Sequence, residues 1–354
     1  MSIKPGALRF NTDSMKLEIF RGSPNYEGSA SMTGIGTLAA GQWEEIQATS
    51  PEAQTGGTRG IWNGTQPGTP DDTIQYVTIS TTGNALDFGN STVSNSYGKG
   101  GTASRTRGVW GGGFQPGGTG IDTIEYVTIS STGGATDFGN LTQLRKDAGG
   151  CGSSTRGLFT AGLYLTPAAT YTNIIDYVTI ASTGHAVDFG DTTEKQEQGT
   201  ALSSPTRGII AGGEQPGGRL DVINFVTIST LGNAADFGNL TQTRRLLTGA
   251  GNATRGIFGG GRDSPSDFNI IDYITISTLG NAIDFGDFSS TRRNMGAVSS
   301  PTRVLFAGGS VPGFSNEILY VTIASTGDAI DFGDLFSSAA EINNGGCSNG
   351  HGGL

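Results

Sequence analysis

Cysteine is scarce in this 354-residue chain, with only Cys151 and Cys347 present, too few for a disulfide scaffold. The two occupy similar places in different sequence units, so they are expected too far apart to bridge. Histidine occurs only at His185 and His351, and neither belongs to a metal-ligand cluster, so no metal and no cofactor are expected. No apolar run approaches the ~20 residues that cross a bilayer. The start, Met1-Ser2-Ile3-Lys4-Pro5-Gly6, lacks the apolar core of a signal peptide, so none is expected, and assembly in a host cytoplasm is expected with it. Positive charge is also short: the formal net charge is −10, and an acidic surface repels phosphate backbones and anionic lipid. Neither nucleic acid nor membrane insertion is expected.

Glycine is abundant, at 60 residues, but without the G-X-Y period of collagen. It stands among Val, Ile, Thr, Tyr and Phe, a composition of many short strands joined by tight turns. The order behind it is a repeat. Thr-Arg opens a unit at Thr58, Thr106, Thr155, Thr206, Thr254 and Thr302, with spacings of 48, 49, 51, 48 and 48. Each unit then carries an aromatic residue in a strand-like run: Tyr76, Tyr126, Tyr177, Phe225, Tyr273 and Tyr320. Each closes on Asp-Phe-Gly, with Asp87, Asp137, Asp188, Asp236, Asp284 and Asp331. Aromatic to aspartate is always 11 residues, whereas threonine to aromatic runs from 18 to 22. Length varies there, so that segment is a surface loop, and the fixed stretch is a packed hairpin.

The second unit shows four strands: residues 108–112, residues 123–130, a strand starting at 135–139, and a glycine-rich run at 148–153. Four strands in about 48 residues is the dimension of a propeller blade. On the third-strand run, Ile124 and Tyr126 point one way and Val127 and Ile129 the other. Apolar residues on both faces suit a sheet sandwiched between neighbours. The glycine-rich run suits the innermost strand, where little side-chain room remains. The chain ends on Asn343-Asn344-Gly345-Gly346-Cys347-Ser348 and a short remainder, enough for one more innermost strand. The segment before Thr58 is a poor strand, so the C-terminal strand is expected to complete the first blade and hide its edge. The expected fold is therefore all-β: a six-bladed propeller over residues 51–354, four antiparallel strands per blade, preceded by a small β module at residues 1–50. In that module, residues 7–11 and 16–20 read as a hairpin, followed by Gln42-Trp43-Glu44-Glu45-Ile46.

No catalytic residue is expected. Asp-Phe-Gly occurs six times without the lysine and His-Arg-Asp partners of a kinase. Gly111-Gly112-Gly113 is followed by no helix and is no dinucleotide fingerprint. His185 replaces the Asn or Gly of a repeated turn and reads as an exposed turn residue. The repeat-wide charges read as structural. Arg59, Arg107, Arg156, Arg207, Arg255 and Arg303 of Thr-Arg, with the six Asp-Phe-Gly aspartates, are expected to tie turns or neighbouring blades together. Replacing one such arginine by alanine should lower the melting temperature and leave binding intact; lost binding at unchanged melting would contradict this.

Binding is expected where the repeat varies. In an up-and-down blade the loop between strands two and three opens on the same face as the connection to the next blade. Candidates on these varied loops are Gln66, Phe114, Gln115, Tyr164, Tyr171, Gln215, Arg219, Arg262, Asp263, Phe268 and Phe314. Aromatic residues there suit sugar rings or protein pockets. The opposite face carries uniform Ser-Thr-Gly and Thr-Arg-Gly turns.

Two resemblances complete the reading. Small-residue first strands, second strands ending in Gly-Gly (Ala211-Gly212-Gly213, Phe258-Gly259-Gly260, Ala307-Gly308-Gly309) and an aromatic third strand make residues 55–354 resemble the kelch repeat family. Gly6-Ala7-Leu8-Arg9-Phe10-Asn11 with Trp43 resembles short β modules of bacteriophage tail-fibre and other virion proteins. The Tyr-Val-Thr-Ile and Asp-Phe-Gly-Asp units also look like repeats in proteins of marine and cyanobacterial phages. These resemblances imply a phage virion protein, in a tail fibre or appendage, binding a host surface receptor. The alternative is a purely structural virion decoration or connector protein. The expected partners are other virion proteins through residues 1–50, a host surface glycan or protein, and further copies in a homo-oligomer, which no coiled-coil heptad enforces.

Overall fold

The computed structural model describes strands at residues 8–11, 16–21 and 42–45, and then residues 59–64, 72–93, 98–115, 119–165, 168–310, 313–336 and 345–350. The chain divides into two compact units, Met1–Ser50 and Pro51–Leu354. The first holds a three-stranded antiparallel sheet in the order Leu8–Asn11, Lys16–Arg21, Gln42–Glu45. Its first two strands form the expected hairpin, and the third sets Trp43 opposite Phe20.

The second unit is a six-bladed β-propeller. Blade 2 is typical: Gly100–Ala103 innermost, then Arg107–Gly111, Thr123–Thr128 and Thr136–Asn140, all antiparallel neighbours. Blade 4 runs from Thr200–Ser203 to Ala235–Asn239, blade 5 from Thr248–Gly251 to Ile283–Asp287, and blade 6 from Gly296–Ser299 to Ile330–Asp334. In blade 3, which begins with Gly149–Gly152, the outer strands lengthen to Arg156–Tyr164, Thr170–Thr179 and Val187–Gln196. Blade 1 is closed by the chain's end: Gly346–Ser348 pairs with Arg59–Asn63, setting Cys347 opposite Ile61. Gly346–Ser348 also packs against the innermost strands of blades 6 and 2, so the stack is circular.

The small residues of the innermost strands follow from their crowding. A Cβ on Gly150 would lie 2.3 Å from Gly101 O, and one on Gly346 would lie 2.1 Å from Ala297 O. Cys151 and Cys347 sit on these strands as free buried thiols, and burial pushes Cys151 up to about 12. Both faces of each blade are apolar, as Ile124, Val127 and Ile129 show by being almost wholly buried between sheets.

Asp-Phe-Gly is a β-bulge. In blade 2 Gly139 pairs with Ile124 and Asp137 with Glu125, so Phe138 is the extra residue on the outermost strand. The bulge turns Phe138 inward, edge-on to Tyr126 at 5.8 Å between ring centroids. The same edge-to-face pair recurs from Tyr76–Phe88 to Tyr320–Phe332. The carbonyls of this strand are then capped by the next blade's Ser-Thr-Gly turn: Gly184 N donates to Phe138 O and Ala186 N to Asn140 O. Gly83 N and Ala85 N of blade 1 do the same for Phe332 O and Asp334 O of blade 6. The outer edges, which would otherwise template aggregation, are thus occupied around the whole ring.

The repeated arginines also cross between blades, but they find carbonyls rather than the aspartates. Arg59, Arg107, Arg156, Arg207 and Arg255 donate from Nη1 to the carbonyl oxygens of Ile129, Ile180, Ile228, Ile276 and Ile323. Arg303 closes the circle on Ile79 O and Ser80 O. Each guanidinium lies over its own blade's aromatic ring, 4.6–5.1 Å from the centroid. Asp87, Asp137, Asp188, Asp236, Asp284 and Asp331 stand exposed beside the inward phenylalanines, and among the described residues none pairs with an arginine. The bulge explains the separation: it commits Phe to the interior and leaves its neighbour facing water.

Candidate functional site

The up-and-down order places the loops between second and third strands, and the blade-to-blade connections, on one face of the ring. Three of the loops build small hairpins that rise from their blades: Phe114–Gln115 with Thr119–Gly120, Glu214–Gln215 with Gly218–Arg219, and Arg262–Asp263 with Ser266–Asp267. Blade 3 instead extends its own strands, pairing Tyr164 with Thr170 and Leu163 with Tyr171.

The connections meet at the axis. Asp147 N donates to Gly98 O, Gln198 N to Asp147 O, Leu246 N to Gln198 O and Asn294 N to Leu246 O, at 2.7–3.3 Å. This circumferential chain needs a left-handed backbone, and Asp147, Gln198, Leu246 and Asn294 adopt φ of 55–59°. The residue before each of these carries a charge: Lys146, Glu197, Arg245 and Arg293. Within a blade like charges face each other across an antiparallel bridge, Glu197 with Glu214 in blade 4 and Arg245 with Arg262 in blade 5. Opposite charges compensate, most of them from the neighbouring blade. Lys146 of blade 3 lies 3.0 Å from Asp147 and 3.9 Å from Glu197, Arg245 bonds Glu214, and Arg293 bonds Asp267. Arg245 also reaches Gln198 Oε1 at 2.9 Å.

Glu197 is the strained member. Only 7 % of it is exposed and its Oε2 lacks a hydrogen bond. Burial, then Asp147 and Glu214, outweigh Lys146 and Arg245 and raise its carboxyl to about 7. Tyr171 looks onto the same group, and its hydroxyl is raised first by burial and then by Glu197 and Glu214.

The sequence candidates divide into separate sets. Tyr171 joins the acidic patch of blades 3 and 4. Arg219 of blade 4 reaches Asp263 of blade 5 at 3.6 Å and so links adjacent hairpins, whereas Arg262 reaches Asp267 at 3.5 Å within its own hairpin. Phe114 lies under Lys146 Nζ, 5.5 Å from its centroid, which ties blade 2 to blade 3. Gln115, Tyr164, Gln215 and Phe268 are half-buried in their loops. Phe314 of blade 6 is the most open of the aromatic candidates, at 44 % exposure. Gln66 lies outside the described residues. His185 is exposed in its turn.

Sequence reasoning missed the buried charges beneath the rim. The residue before the third-strand aromatic is Glu125, Asp176 and Asp272 in blades 2, 3 and 5. Glu125 accepts from Lys99 Nζ at 2.5 Å, from Asn63 Nδ2 at 2.8 Å, and from Ser91 Oγ, Thr92 N and Thr92 Oγ1 at 2.7 Å. Burial alone would raise its carboxyl, but Lys99 and these donors hold it at about 2. Asp176 and Asp272 take Arg145 and Arg244 at 3.0 and 2.8 Å, with Thr142 and Thr241 completing each shell. Each set clamps a blade-to-blade connection to the sheet below it. The signal lay in the repeat itself: blade 4 carries neutral Asn224 where the acid would stand and neutral Gln196 in place of the arginine.

No protein-family model matches this chain, and no curated protein matches it in sequence. The fold is compatible with a non-enzymatic role. Among the described residues no group of three or more His, Cys, Asp or Glu is placed to hold a metal ion.

Proposed function

We propose that this protein is a bacteriophage virion component, a tail-fibre or appendage protein whose kelch-like propeller binds a host surface glycan or protein. In this reading the virion is its location, residues 1–50 attach it to other virion proteins, and the varied loop face meets the receptor. The observation that carries the reading is the contrast between the two faces. One repeats the same turns blade after blade, while the other differs in loop length, charge and aromatic content on the same rigid frame. The resemblance of Gly6–Asn11 and Trp43 to tail-fibre modules supplies the phage context.

Rim residues engaged between blades, such as Arg219, Asp263 and Phe114, favour the second reading of a purely structural virion component. Two measurements separate them. Fluorescent full-length protein should label cells of a marine cyanobacterial host or hit discrete members of a glycan array. Phe314→Ala with Tyr164→Ala should weaken that binding at least tenfold without lowering the melting temperature. Antibody-labelled particles should show the protein on the tail. Particle labelling without cell or glycan binding selects the structural component, and unlabelled particles remove the virion assignment.

A further inference from the structure

The uniform face holds a second candidate site. Between blades 3 and 4 lies a groove of about 370 Å³ lined by Ser153, Thr155 and Arg156 on one side and Pro205, Thr206, Ile228 and Ser229 on the other. Its volume falls in the range of about 300–1,000 Å³ typical of small-molecule sites. Arg156 is held on two sides, by its Nη1 bond to Ile228 O at 2.9 Å and by the Tyr177 ring 5.1 Å away. Its guanidinium makes no ion pair among the described residues, although the chain as a whole is acidic. A cation fixed in orientation, without a counter-charge, is a prepared partner for a forked oxyanion. Around it the lining alternates hydroxyls (Thr155, Thr206, Ser229) with apolar patches from Pro205 and Ile228, the mixture that suits a sugar ring.

The arrangement repeats with the blades. Arg59, Arg107, Arg207, Arg255 and Arg303 make the equivalent inter-blade bonds, and a Thr-Arg pair begins each second strand. We propose that the uniform face is a binding surface for acidic saccharides, each inter-blade groove taking one sugar carboxylate on its arginine. The repetition of the arginines then presents the same fixed cation around the ring, while the residue in the place of Pro205 changes from blade to blade (Arg105, Ser154, Ala253, Pro301), which favours a polymer with a carboxylate on successive sugars through multivalency. This site lies on the face opposite the loop rim and stands whether or not that rim binds a receptor.

The test uses the full chain and the arginine Nε–H correlations of a ¹⁵N-labelled sample. Sodium glucuronate should shift the correlations of the six groove arginines, whereas glucose at the same concentration should leave them in place. Sodium sulfate at matched ionic strength separates a sugar carboxylate from any oxyanion, and glucuronate should bind at least threefold more tightly. Ser229→Glu puts a carboxylate into one groove from an exposed turn position. It should abolish the glucuronate shift of Arg156 alone, with the other five arginines reporting an intact ring. Silence of all six towards glucuronate overturns the proposal. So do equal shifts with glucose, equal or tighter binding of sulfate, or an unchanged Arg156 response in the variant.

Discussion

Gly139 shows how one residue can decide whether a blade fits its neighbour. Its φ is +150°, and an added Cβ would stand 2.3 Å from Gly184 O of the next blade. The carbonyl belongs to the turn whose N–H groups cap the bulged strand, so it has no room to retreat. Gly139→Ala should cost about 2 kcal/mol or more, from backbone strain together with the lost inter-blade bond; urea unfolding reads it, and a loss below about 0.5 kcal/mol would contradict the account. Glu197 decides stability through pH instead. Its carboxyl stands near 7 in the fold against 4.5 ordinarily, so the folded state keeps a proton that the unfolded chain releases. Stability should therefore be highest below about 4.5, fall as pH rises through that window to about 7, and then level off as far as this group is concerned. The groups facing it are Asp147, Glu214, Lys146, Arg245 and Tyr171. Glu197→Gln should remove the decline, so the variant gains on the parent in melting temperature at pH 8 relative to pH 5. Parallel pH profiles for the two proteins would refute the assignment.

At the scale of the element, the third strand is where sequence and structure agree most and also where the reading stopped short. The constant spacing from aromatic to aspartate made the hairpin legible, because a closed inter-blade surface tolerates no insertion there. The aromatic and Phe of each unit could be seen as core, but not that the bulge would bring them edge to edge. Nor could the aspartates' exposure be seen, since bulges leave no mark on hydrophobic periodicity. Glu125, Asp176 and Asp272 were hidden for another reason: a strand buried on both faces has no polar side, so an acid in it resembles an exposed one until its partner is found. Those partners, Lys99, Arg145 and Arg244, sit in the blade-to-blade connections, whose length hardly changes but whose residues differ from unit to unit. The pairs should behave as units. Asp176→Asn strands the buried Arg145 charge and should cost about 3–5 kcal/mol. Arg145→Gln combined with Asp176→Asn reproduces the residues of blade 4 at these places, Gln196 and Asn224, both buried. The double variant should return to within about 1 kcal/mol of the parent, since a neutral pair escapes most of the cost of an uncompensated charge. A double variant as unstable as the single one would mean that the ion pair, and not the geometry around it, holds the connection.

Across the whole molecule the decisive contact is the one that makes the ring a ring. The innermost strand of blade 1 is Gly346–Ser348, supplied from the far end of the chain. Beyond its ladder to Arg59–Asn63, this segment gives Gly345 O to Trp110 Nε1 at 3.0 Å and to Asn63 N at 2.8 Å, and Ser348 Oγ bonds Ser299 O at 2.6 Å. It thus touches blades 1, 2 and 6 at once. Removing residues 345–354 would open the edge of Arg59–Asn63, uncover Ile61, and leave Trp110 Nε1 without its acceptor in the core. The unpaired edge is a template for other chains as well as a loss of burial. The truncated chain should melt well below the parent and run as soluble aggregates on size exclusion. A synthetic peptide of residues 343–354 should shift part of it back to monomer-like elution by filling the vacant strand position in trans, as strand addition does elsewhere. The same peptide with Gly346→Val should fail, because a side chain there would meet Ala297 O at 2.1 Å from its first carbon. Rescue by both peptides would show that the vacancy accepts any strand, and full stability of the truncated chain would show that the circle is closed by the remaining blades without it.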